Sequence, residues 1–129
     1  MKLGIRLVKI ASLYMLLGLV MGVAMAVSHD FTLSSVHAHI TLLGWATMAI
    51  TGIVYTVLPR CGESRLSAWH FWGHNIGLPV MMISLGLFTY GYTGAEKVIG
   101  VGSILVLLSL ITFTINLYLH GATGRASQG

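Results

Sequence analysis

The chain alternates between long apolar runs and short polar breaks. The runs cover residues 10–27, 33–58, 68–90 and 98–119. A helix needs about 20 apolar residues to cross the hydrocarbon of a membrane, so each run predicts a transmembrane helix. The breaks "SHD", "PRCGESR" and "GYTGAEK" carry turn residues. They are short, which makes neighbouring helices antiparallel. The predicted fold class is an all-α membrane protein, an up-down bundle of four transmembrane helices forming one domain over residues 1–129. The first run has a rival reading as a signal peptide, because Lys2, Arg6 and Lys9 precede it and "AMA" before Val27 resembles a cleavage site. It is read here as a helix.

Composition supports the membrane reading. Hydrophobic residues make up 56% of the 129 and charged residues only 8%, against about 25% charged in a soluble domain. The net charge of +4 would fit nucleic acid or acidic lipid, but its distribution points elsewhere. Lys2, Arg6, Lys9, Arg60, Arg65 and Arg125 all fall on one side of the predicted bundle. The other side has Lys97 beside Asp30 and Glu96. Basic residues collect on the cytoplasmic side, so both termini are expected there, in a bacterial inner membrane, with no nucleic-acid partner. A single cysteine, Cys61, excludes an intrachain disulfide. None of the three acidic residues lies within a span. A transporter built on intramembrane carboxylates is therefore poorly supported.

The chemistry-bearing residues inside the spans are histidines. His37 and His39 open the second span. Residues two apart on a helix point about 200° apart, so the two rings serve different sites. His37 shares its face with Thr41, Gly44 and Met48, and His39 shares its face with Leu43, Ala46 and Ile50. Gly44 and Ala46 leave room for a flat macrocycle or a close helix. The plainer alternative is that both rings bond water or backbone at the outer interface. In the third span His70 and His74 are four apart, on one helix face; they are expected near the inner end of that span and form a candidate copper or zinc pair, or a haem ligand with a helper. Pro79 should bend this helix and free the Asn75 carbonyl near His74. Trp69 and Trp72 suit an interfacial belt. Solvation is expected for His29 and His120, and core packing for Met81 and Met82. The stripe Gly18, Gly22, Ala26 is read as helix packing. Ser109 and Asn116 are expected to bond across helices.

The stretches "VHAHITLLGWATMAITGIVYTVLPR" and "SRLSAWHFWGHNIGLPVMM" resemble the catalytic subunit of haem–copper oxidases, including the nitric oxide reductase and cbb3-like branches. The resemblance covers about half the chain. It implies a low-spin haem b held near the outer end of the second helix, with His37 and His39 as candidate iron ligands. "YTVLP" matches the family's helix ending and "SAWHFW" the tryptophan-bearing helix that follows. "GHN" resembles a copper-ligand stretch and implies copper at His74. The family has about twelve helices in three four-helix arcs, and this chain has enough for one. It lacks the adjacent His-His pair of the copper site and an equivalent of the active-site tyrosine. The resemblance therefore implies electron transfer, or binding of oxygen or nitric oxide, rather than a complete oxygen-reducing enzyme. It also suggests a homo-oligomer, with a trimer that sets His37 of one copy against His39 of the next. The alternatives are a haem-free copper or zinc protein and a structural or assembly subunit.

Overall fold

The computed structural model describes residues 2–122. Helix α1 spans Lys2–Ser28 and helix α2 spans Ser34–Val57. A short helix α3, Pro59–Glu63, leads into α4, Arg65–Thr89. A single 3₁₀ turn, Thr93–Ala95, precedes α5, Glu96–His120. The four long helices are each long and apolar enough to cross a membrane, as the apolar runs predicted. Helix α1 begins well before residue 10, because nothing between Lys2 and Lys9 breaks a helix. Arg125 of the charge count lies outside the described residues.

The register of the bundle follows from its small residues. A side chain at Gly18 would meet Thr41, one at Gly44 would meet Tyr14, and one at Gly52 would meet Leu7. As the position rises in α1 it falls in α2, so the two are antiparallel. In the same way Gly77 faces Leu105 and Gly102 faces the backbone of Met81, which sets α5 antiparallel to α4. His74 meets Leu43 and His70 meets Tyr55 between α2 and α4. The bundle is therefore two glycine-lined pairs, α1 with α2 and α4 with α5. They are joined along α2 and α4 by side chains that include buried polar ones. Small residues let backbones approach where lipid gives no hydrophobic drive between helices. The small-residue stripe on α1 does this work, with Gly18 on Thr41 and Gly22 on His37.

Helix α2 carries a π-helical stretch, Ile40–Thr47. His37 and Thr56 both face α1, against Gly22 and Gly4. They are nineteen positions apart, which an unbroken α-helix would turn about 100° past whole turns. One residue's worth of π register absorbs that excess. The lower half of α2 is thereby re-aimed, and Tyr55 turns to α4. In unbroken α register it would lie on the face of His37, five whole turns above.

The connections at the end of the bundle away from Arg60 and Arg65, labelled the outer end after the expected orientation, are locally closed. Asp30 accepts from the Thr32 amide at 3.0 Å and from its hydroxyl, which holds the carboxyl below its ordinary range. After α4, Gly91 takes a φ of 98° while Tyr92 donates back to the Leu87 carbonyl at 3.1 Å. That left-handed residue is a glycine-favoured helix stop.

Candidate haem and metal site

His39 lies five residues into α2, about 8 Å below its outer end. Its Nδ1 is 2.7 Å from the Ser35 carbonyl one turn earlier. A carbonyl can only accept, so Nδ1 carries the proton and a neutral ring keeps its lone pair on Nε2. No hydrogen bond reaches Nε2 among the described residues. The ring sits at a border on α2. Val36 and Leu43, three residues before and four after, belong to the stripe packed toward α4. Leu42 and Ile50, 61% and 60% exposed, belong to the stripe facing outward. His39 itself is half-buried.

His37 points elsewhere, as the spacing of two predicted. Its Cε1 lies 3.2 Å from where a side chain on Gly22 would begin, so the ring packs on α1. Its Nδ1 is buried without a partner. The room that Gly44 leaves is filled by the ring of Tyr14. Gly44 therefore serves the contact between α1 and α2, and Ala46 is the half-buried small residue on the His39 face.

The second histidine pair is fully enclosed. His70 and His74 are both 0% exposed, with ring centroids 5.5 Å apart and planes nearly perpendicular. The Tyr55 hydroxyl is 2.9 Å from His70 Nδ1. His74 Nε2 donates to the Leu43 carbonyl at 2.9 Å, within the π stretch. A π register shifts backbone pairing from four residues to five, and the imidazole meets a carbonyl of that altered stretch. Two ring nitrogens, His70 Nε2 and His74 Nδ1, are buried without partners. Asn75 returns its amide to the Phe71 carbonyl of its own helix at 2.8 Å. His74 does not lie near the inner end of its span. It is nine residues into α4, near the middle, and opposite Leu43. Depth separates it from His39 by about one helical turn, so direction does more than depth to keep the two rings apart.

A third polar group closes the inner end. Asn116 is 0% exposed. Its amide nitrogen donates to the Cys61 carbonyl at 2.9 Å, and its amide oxygen accepts from Ser64 at 2.9 Å and from His120 Nδ1 at 2.9 Å. These bonds pin α3 and its turn to α5. Asn116 thus crosses between elements as predicted. Ser109 bonds only within its own helix, to the Val106 carbonyl at 2.7 Å. His120 is half-buried on Asn116 rather than solvated. His29 is exposed in the outer turn, and Met81 and Met82 are core.

Tyr55 is the residue that sequence reading missed. The available signal was a hydroxyl-bearing aromatic in an apolar span, one short turn away from "WHFWGH". Among the described residues no three His, Cys, Asp or Glu side chains converge as a metal-holding group. A groove of about 1010 Å³ opens between the outer ends of α4 and α5, lined by residues including Val80, Ile83, Leu87 and Val98. None of its lining residues is a histidine.

No family model, curated protein or solved structure matches the chain.

Proposed function

We propose that this is an integral membrane protein that binds haem b through His39 and acts in electron transfer or in binding a small gas such as oxygen or nitric oxide. The observation that carries the reading is the Nδ1–H bond from His39 to the Ser35 carbonyl. A metal-ligating histidine commonly donates its other ring N–H to a carbonyl, which fixes the tautomer and raises the basicity of the ligating nitrogen. His39 has that arrangement, with Nε2 free at a half-buried, outward-bordering position. His37 lacks it, since its Nδ1 has no acceptor. The donor chemistry fits, because neutral imidazole is a haem-iron ligand. The half-buried Ala46 and exposed Leu42 and Ile50 supply an apolar surface for a porphyrin. Haem b, when bound, supplies a one-electron ferric/ferrous couple. The chain's own part is to orient the ring through Ser35.

The basic residues support an inward-facing inner end, with both termini in the cytoplasm of a bacterial cell. Arg6 and Lys9 on α1 and Arg60 and Arg65 around α3 share one end of the bundle, where Gly4 meets Thr56. The test is the visible spectrum of reduced protein purified from cells supplied with haem precursor, beside that of His39→Ala. Loss of the haem bands in the variant supports the reading. An unchanged spectrum, or a colourless folded wild type, defeats it.

A second reading has its own observation. His70 Nε2 and His74 Nδ1 are buried ring nitrogens without partners, and an unpaired imidazole nitrogen suits one copper or zinc ion better than it suits apolar packing. Metal analysis of the wild type against His70→Leu decides it, with stoichiometric metal lost in the variant as the supporting result.

A further inference from the structure

We infer that the proposed haem is held between two copies of this chain, with His39 of each copy supplying one axial nitrogen. This rests on the reading of His39 as the haem ligand and completes it. A six-coordinate haem iron takes an axial ligand on each face. In the outer half of one chain the structure offers a single nitrogen prepared for that role. His37 is two residues away, but its ring is turned onto Gly22 of α1 within the same chain. Its ring is held on α1, so it cannot serve the same iron as His39. That geometry also disfavours a ring in which His37 of one copy meets His39 of the next.

A two-fold arrangement removes the shortage. In a two-fold contact the same patch meets itself, so whatever one copy offers the other returns. The patch here is the border of α2 with His39 at its outer end and Leu42 and Ile50 beside it. A free imidazole lone pair beside an apolar stripe is a polar group without a partner, and in a membrane-spanning helix such groups mark sites that protein or cofactor covers. A second copy carrying the same apolar stripe and the same nitrogen covers it and fills the opposite axial position. With both positions filled, the iron has no vacancy for a gas, and the function narrows to electron transfer.

The experiment uses the full-length protein in detergent, loaded with haem. The expected result is a protein mass of two chains, one haem per pair of chains, and a low-spin spectrum that carbon monoxide does not change. Coexpression of tagged wild type with His39→Ala is the second arm. Mixed pairs should convert to a carbon monoxide-sensitive spectrum, and pure His39→Ala should lose haem. A monomer carrying haem, or a dimer whose haem binds carbon monoxide, overturns the shared site while leaving His39 as ligand. Haem retained by His39→Ala overturns the underlying reading as well. The wild-type mass and spectrum decide the matter even where a variant fails to fold.

Discussion

The outer and inner halves of this bundle use histidine in opposite ways. In the inner half and middle, His70 and His74 reach other elements, to the Tyr55 hydroxyl and the Leu43 carbonyl of α2. In the outer half, His39 bonds only its own helix, at Ser35. A hydrogen bond to another helix fixes how the helices sit. A bond to the same helix fixes only the ring, and leaves its far nitrogen for something outside. On the function proposed above, partner identity, more than burial or residue type, separates a histidine that holds the fold from one that is presented to a ligand.

The sharpest way to break this contrast is to exchange which property each histidine controls. His39→Ala should abolish haem binding, yet change thermal stability of the haem-free protein by no more than about 0.5 kcal/mol, as for a substitution away from the core. A large loss of stability in the apo-variant would show that His39 is structural after all. Asn116→Ala should do the reverse. It strips partners from the Cys61 carbonyl and Ser64 hydroxyl. Interhelical hydrogen bonds in membranes are worth about 0.6 kcal/mol on average and up to about 1.7, so a loss of about 2 kcal/mol is expected. Haem content per folded chain should stay unchanged, as read by thermal unfolding beside the absorbance spectrum. Tyr55→Phe is the milder test. It removes one hydroxyl from a buried ring nitrogen and should cost about 1 kcal/mol, again with the haem bands intact.

Those variants also separate what the sequence could say from what it could not. The four spans were legible because each is a continuous apolar run, and the divergence of His37 from His39 followed from helical rotation alone. The partners were not legible. Gly44 sits four residues after Ile40, and nothing in "ITLLGWAT" announces the π stretch that turns Tyr55 away from the His37 face. Without that offset, Tyr55 would be assigned to α1 and its bond to His70 would be missed. The depth of His74 was misjudged for a related reason. The apolar run starts at residue 68, but the helix starts at Arg65 with Ser64 accepting from the Ser67 amide. The same polar segment that ends one apolar run thus begins the next helix.

The smallest expected effect tests how firmly the inner half is closed. Cys61 is fully buried, and its thiol lies 3.8 Å from the Asn116 carbonyl as an S–H donor. Burial pushes the thiol above its ordinary range, because the thiolate would lose its water. Alkylation should therefore be slow in the folded protein around pH ~8 and complete after unfolding. The sign for stability follows from the same shift. The contribution of the buried neutral thiol is intact below the ordinary thiol pKa of about 8.5. It is lost as pH rises from there through the raised folded value, since the unfolded chain ionises first. In Asn116→Ala the turn that carries Cys61 loses its anchor, so labelling should accelerate. In His39→Ala it should not. Equal acceleration in both variants would mean that the two halves of the bundle share one stability, and the division between a holding end and a presenting end would fail.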